Sequence, residues 1–462
     1  MQGAVITTPP TAPRSEAPVR SSAREVTRPN RIRPRTNLRR DVYPRVLYCG
    51  ILFLVGATSG IHVKGYTLTV MSGLMLLIAP AALLKKWTVG QLLPVALAFV
   101  GTLGWIVSSQ INVIAITDQR IISWPSFALY LIGIVVLVGR NLEQLFALAV
   151  GVAVGSCFYY LTSGLPALGA PSFENYWKYA FAPWITLIVL YSLAVFGVAL
   201  RIQALVLILL AFTSLALNYR SHALVCIGAA AVVLVTHYTR DRLARWMQIV
   251  LVGITGAVFG SIVPIIARTG IAGQALKDKV ETQDTTGAPA IFAGRTESPL
   301  SMSAISEKPW FGWGNANYLT DEVFAKGESL AVKIGFDPTL DITSSWRLAN
   351  GDTSLHSILL NGWAEGGVFV ALLPMALIGM AIAIVWNSSR YGIWSALALV
   401  VATQALWDLF FSPLSYNLLT ILAVLAAIFA ARHLPKWTGF GADPAAPVDA
   451  DVDGLVTAAG RR

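Results

Sequence analysis

Apolar runs about twenty residues long recur along this chain, and each can cross the ~30 Å hydrocarbon core of a bilayer as a helix. We read twelve of them, at 46–62, 66–84, 91–109, 121–139, 144–162, 180–200, 202–218, 222–238, 246–266, 366–386, 392–411 and 414–432. Charge is scarce to match: 13% of residues are charged and 55% are hydrophobic, whereas a soluble domain carries about 25% charge. The expected fold class is therefore all-α, a polytopic transmembrane helical bundle of about 12 spans.

The basic residues orient that bundle. Ten arginines fall within residues 1–45, among Pro, Ser and Thr. This composition reads as a disordered basic tail that favours an anionic cytoplasmic leaflet. With the N-terminus inside, the inner connections carry Lys85 and Lys86, Arg140, Arg201, the group Arg240, Arg242 and Arg245, and Arg390, and the final tail opens on Arg432, His433 and Lys436. Each inner connection thus has a basic residue beside a span, as the positive-inside rule requires. Both termini are expected in the cytoplasm, with residues 433–462 a second disordered tail. The tail also accounts for the net charge of +10, so nucleic acid is excluded as a partner and membrane lipids are expected. No apolar run precedes about Val46, so the first span is not a cleaved signal peptide. Cys49, Cys157 and Cys226 all lie in apolar runs and imply no disulfide framework.

The stretch 267–355 is different. It is the longest polar connection, and a connection of that length is usually functional. On this topology it is extracytoplasmic and should carry short helices on the membrane surface. It separates spans 1–9 (46–266) from a re-entry helix and spans 10–12 (356–432).

Ionisable groups at membrane depth are costly, so those at the outer ends of the spans are candidates for function. Arg220 sits in a tight turn, Leu217-Asn218-Tyr219-Arg220-Ser221-His222, where orientation needs no positive charge. Its bland role would be snorkelling to headgroups. Arg295 follows Gly294 in the long connection, ahead of Pro309-Trp310-Phe311-Gly312-Trp313-Gly314, and its bland role would be an ion pair with Glu297. His356 stands where the connection re-enters the membrane. On a helix it would share a face with Leu360, Trp363 and Gly367, with Glu365 near the opposite face. Two arginines and a histidine suit an anionic substrate. Guanidinium binds phosphate in bidentate fashion, and neutral imidazole can take a proton from an attacking hydroxyl. There is no Asp-x-Asp cluster, no His/Cys cluster and no phosphate-binding glycine loop. No metal or other cofactor is required, and nucleotide hydrolysis is not indicated.

These residues resemble a known family. His356, Leu360, Glu365 and Gly367 are similar to the His-Asn-x-x-Leu-x-x-x-x-Glu-x-Gly signature of the O-antigen ligase/polymerase family. Tyr219-Arg220-Ser221 resembles its Ser-Arg turn, and Gly294-Arg295 with Pro309-x-x-Gly312-x-Gly314 resembles its loop elements. The resemblance covers about residues 200–390. Four departures stand out: Ser357 in place of Asn, Val370 where a glycine is common, no tryptophan at short range after Gly294-Arg295, and Pro299 where a helix is expected to continue.

The resemblance implies a membrane glycosyltransferase of the C-type architecture, inverting and metal-independent. It would take a glycan from a lipid-linked undecaprenyl-diphosphate donor to a hydroxyl of a glycan, lipid or protein acceptor, on the outer face of a bacterial inner membrane. Arg220 and Arg295 would hold the diphosphate, His356 would be the base or orient the reacting groups, and Glu365 and His222 would line the substrate site, Glu365 in a supporting role. Two other readings compete. A flippase or transporter of a lipid-linked saccharide would need polar residues near the bilayer midplane. A structural assembly subunit would have no use for placed arginines in so long a loop.

Overall fold

The computed structural model describes residues 38–64, 68–165, 172–239, 246–269, 277–278, 280–281, 296–339, 341–347, 351–353, 355–414 and 416–431. The chain divides into two units, 1–45 and 46–462. Nearly all of the first, and the C-terminal tail from Arg432, lie outside the described residues, as do Arg240, Arg242, Arg245 and Arg295.

Helices dominate. They are α1 (Leu38–Ala57), α2 (Val70–Ile78), α3 (Val89–Ile111), α4 (Asp118–Val138), α5 (Leu142–Ser163), α6 (Phe173–Tyr176), α7 (Ala182–Val195), α8 (Leu200–Ala216), α9 (Arg220–Thr239) and α10 (Trp246–Arg268). Within the long connection lie α11 (Ser298–Glu307), α12 (Asp321–Ile334) and α13 (Ile342–Trp346), and after it come α14 (Ile358–Gly366), α15 (Val368–Trp386), α16 (Ser395–Phe411) and α17 (Tyr416–Ala431). A small antiparallel pair, His62–Lys64 with Leu68–Thr69, is the only sheet among the described residues.

Among the described residues, seven helical segments are long and apolar enough to cross a membrane: Val89–Ile111, Arg120–Val138, Leu142–Ser163, Phe173–Val195, Arg220–Thr239, Val368–Trp386 and Ser388–Phe411. Four other expected spans fall on the shorter apolar helices Val70–Leu84, Leu200–Ala216, Trp246–Val258 and Leu418–Ala431. The first expected span falls on α1, which begins at Leu38, inside the stretch read as disordered. Leu and Arg are good helix formers, so the helix starts ahead of the apolar run.

One crossing is unusually tight. Gly56 and Gly60 meet Gly151 and Gly155, the small-xxx-small pattern that lets membrane helices approach backbone to backbone. A Cβ on Gly151 would stand 2.0 Å from the Phe53 carbonyl oxygen, and one on Gly60 would stand 2.1 Å from that of Gly155. Gly151→Leu is expected to cost at least ~1–3 kcal/mol through overpacking, read as a lower melting temperature in detergent. Gly50→Leu, which meets nothing within 4 Å, should melt with the wild type.

The bundle has two chemically distinct ends. At one, Lys85 donates to the last carbonyls of α4, 2.8 Å from that of Val135, and Arg140 reaches the Ala430 carbonyl at 3.4 Å. Cations suit helix C-termini. The start of α9, the C-terminus of α3, the start of α4 and the C-terminus of α16 gather at the opposite end.

The described part of the long connection folds on itself there. Leu300, Ala304, Val323, Phe324, Phe336, Ile342 and Trp346 form a second core, separate from that of the bundle. Trp346 donates its indole N–H to the Thr296 carbonyl at 2.8 Å. Pro299, expected to stop a helix, instead lies in the first turn of α11, where its missing N–H costs nothing and its fixed φ suits the start.

Candidate functional site

Arg220 opens α9 after a three-residue turn. Asn218 takes φ 54, a left-handed conformation Asn tolerates better than most residues. Tyr219 N–H then donates back to the Ser214 carbonyl at 2.7 Å. Beneath the turn His222 is buried and stacked on Tyr219, ring centroids 5.5 Å apart. Its Nδ1 lies 2.9 Å from the Ser214 hydroxyl and its Nε2 lies 3.1 Å from that of Thr186. Trp177 donates to the same Ser214 oxygen at 3.1 Å. His222 is thus the keystone of a polar cluster under Arg220, with both ring nitrogens engaged. Burial, and after it the Asp408 carboxylate, pushes the Tyr219 phenol well above its ordinary pKa. Asp408 lies in the last turn of α16, where it accepts from Ser412 Oγ at 2.7 Å and Gln404 Nε2 at 3.0 Å.

The re-entry segment docks on the same turn of α16. Ser357 is the N-cap of α14: its hydroxyl accepts from Leu360 N–H at 3.0 Å and lies 3.2 Å from the Leu409 carbonyl as donor. Serine in place of the family's Asn keeps the capping chemistry. The helix begins at Ile358, so His356 precedes it and does not share a face with Leu360 and Trp363; the helical-face expectation is corrected. His356 Nδ1 instead lies 2.8 Å from Glu297 Oε1. Glu297 is thus engaged with the histidine, and Arg295, its expected partner, lies outside the described residues.

Glu365 has a different partner, which sequence reasoning missed. Its Oε1 accepts from Arg120 Nη2 at 2.7 Å and from Ala316 N–H at 2.8 Å. Arg120 also donates to the Gly314 carbonyl at 2.6 Å, and its guanidinium carbon lies 5.0 Å from the centre of a Trp105 ring. Burial pushes the Glu365 carboxyl above its ordinary value, and Arg120 is the main force drawing it back. Arg120 heads α4, about 245 residues away in sequence, and the absence of any motif around it left no signal.

The Pro309–Gly314 loop is clamped onto the end of α14. Trp313 N–H donates to the Ala364 carbonyl at 2.9 Å, Gly314 N–H to that of Glu365 at 2.7 Å, and Val368 N–H to that of Pro309 at 3.0 Å. Gly312 and Gly367 both have positive φ, and a Cβ on Gly367 would stand 2.0 Å from the Trp310 carbonyl oxygen. Only glycine allows this approach. Val370 fills the hollow over Gly104, Gly362 and Gly366, so the departure at this position is a packing choice.

Fold and site together define a polytopic helical membrane protein with cationic side chains placed at one end of its bundle. Residues 204–375 match the family model for O-antigen ligase. Over that stretch, less than half of its length, the chain is similar to the O-antigen ligase family. No curated protein and no solved structure matches the chain.

Proposed function

We propose that the protein transfers or polymerises a glycan from an undecaprenyl-diphosphate donor onto an acceptor hydroxyl, at the outer face of the inner membrane of a bacterium. The reading includes twelve spans, both termini in the cytoplasm, inversion at the anomeric carbon and no metal. One observation supports it beyond the family: α9, headed by Arg220, and α14, preceded by His356, both pack on α16, and Ser357 bonds the Leu409 carbonyl. A guanidinium and an imidazole are thus brought to one end of the bundle from positions far apart in sequence.

The chemistry follows from the residue types. Arg220, with Arg295, holds the diphosphate and stabilises the charge that develops on it as the sugar leaves. The positive N-terminal end of α9 adds to that field. His356 takes the proton of the acceptor hydroxyl. His222 and Glu365 hold these groups in place instead of touching the substrate. The basic end of the bundle, with Lys85, Arg140 and Arg390, faces the cytoplasm under the positive-inside rule, which turns the site outward. Among the described residues, every Asp, Glu, Lys and Arg of α3–α10 and α15–α17 lies in a first or last helical turn, where a transporter's midplane site would not be.

The test is reconstitution. Purified protein is incubated with a lipid-diphosphate glycan and candidate glycan, lipid or protein acceptors, and product is followed on a gel. Product should form with the wild type and be lost in Arg220→Ala, Arg295→Ala and His356→Ala. Full activity in all three variants would defeat the reading.

A further inference from the structure

We infer that Glu297 is the positioning residue for His356, a carboxylate that orients the imidazole and carries its charge during transfer; this rests on the glycan-transfer reading above. The contact is 2.8 Å, from His356 Nδ1 to Glu297 Oε1, and both side chains are largely buried, 32% and 13% exposed. Each is fixed from behind. The Glu297 carbonyl is the first acceptor of α11, taking the Ser301 N–H at 3.0 Å, and Leu300 beside it is fully buried. Ser357, next to His356, is tied both to α14 and to α16. A carboxylate accepting from Nδ1–H selects the tautomer whose Nε2 carries the lone pair.

A second observation separates this from a plain structural pair. Glu297 Oε2 is buried and has no hydrogen-bond partner among the described residues. A buried carboxylate oxygen left unpaired is costly, and such exceptions in folded proteins call for an explanation, catalysis among them. A pair built only for stability would have both oxygens bonded, as a fully satisfied network is worth more than a half-satisfied one.

The step balances as follows. The acceptor O–H gives its proton to His356 Nε2, and its oxygen lone pair forms the bond to the anomeric carbon. The bond from that carbon to the diphosphate oxygen breaks, and its electron pair leaves with the lipid diphosphate. The imidazolium formed is neutralised by Glu297, which keeps its own negative charge, the role a carboxylate plays behind histidine in hydrolytic triads. The proton later passes to solvent.

Glu297→Gln tests the idea on the full-length protein in nanodiscs, with a short-chain lipid-diphosphate glycan and a soluble acceptor. Glutamine can still accept from Nδ1–H, so geometry is retained and only the charge is lost. We expect kcat to fall about 10²-fold or more, with donor KM within about twofold and an unchanged melting temperature. Glu297→Asp should recover part of the loss. The double variant Glu297→Gln/His356→Ala should be no slower than His356→Ala alone, because residues acting as one unit are not additive. A wild-type kcat in Glu297→Gln, a loss confined to KM, or additive losses in the double variant would each overturn the inference. A wild type that transfers nothing from any donor would instead bring down the function on which it rests.

Discussion

Arg220→Ala is expected to cut glycan transfer about 10²–10³-fold, the usual loss when one preorganised donor to a developing oxyanion is removed, and to leave the protein folded. The two halves of this expectation have separate causes. The turn does not depend on the arginine side chain. Asn218 supplies the left-handed residue, Tyr219 N–H closes the turn on Ser214 at 2.7 Å, and the Tyr219 ring rests on His222. The guanidinium is half-buried at the head of α9. Arg220→Lys should restore only part of the activity, since a point charge cannot reproduce a two-pronged grip on phosphate. Donor binding, gel-detected product and melting temperature together separate these effects. His222→Ala provides the contrast. It removes the imidazole bonded to the Ser214 and Thr186 hydroxyls, at 2.9 and 3.1 Å in the intact protein, while Ser214 keeps its bond from Trp177 and Thr186 its bond to the Ala182 carbonyl. Two hydrogen bonds at about 0.5–1.5 kcal/mol each are lost, together with the packing of a fully buried ring, so this variant should lose stability first and activity only as a consequence.

The contrast between Arg220 and His222 also marks how far the sequence could be read. The spans were legible because hydrocarbon imposes a single length and polarity on every helix that crosses it. Arg220 was legible because a charge in a tight interhelical turn is expensive and has no orienting task there. His356 was legible by its place at the re-entry point, but its setting was not. A face shared with Leu360 and Trp363 needs α14 to extend back to His356, and Ser357 caps the helix too late for that. Capping is a local choice among near-equal energies, and a helix that starts at Ile358 leaves His356 outside the helical repeat altogether. Glu297 was weighed only as a partner for Arg295. Its pairing with His356 is a tertiary contact across 59 positions, and nothing in the local sequence distinguishes the two. Arg120 had no motif at all: at the head of a span, it looks like any interfacial arginine.

The second large effect is expected at that arginine. Arg120→Ala should destabilise the protein by about 3–5 kcal/mol, the usual cost of stripping one partner from a buried ion pair. Three acceptor and donor groups depend on it directly or through Glu365: the Gly314 carbonyl at 2.6 Å, Glu365 Oε1 at 2.7 Å and, through that carboxylate, Ala316 N–H at 2.8 Å. Burial already holds the Glu365 carboxyl above its ordinary value, and Arg120 is the main opposing force. Its removal leaves that group buried with no compensating charge. Arg120→Lys should recover little, because one ammonium cannot serve a carbonyl and a carboxylate in the fork geometry. A paired replacement, Arg120→Met with Glu365→Leu, separates stability from positioning. Replacing both partners by apolar groups of similar size can be nearly neutral, so the melting temperature should return part of the way toward that of the wild type, the Gly314 carbonyl and Ala316 N–H having lost these bonds. Transfer should not return with it. The Pro309–Gly314 loop would still be held to α14 by its backbone bonds, but without the ionic lock between that loop, α14 and α4. Recovery of full transfer along with stability would show that the pair only holds the fold together; recovery of stability alone would show that it sets the geometry in which Arg220 and His356 act.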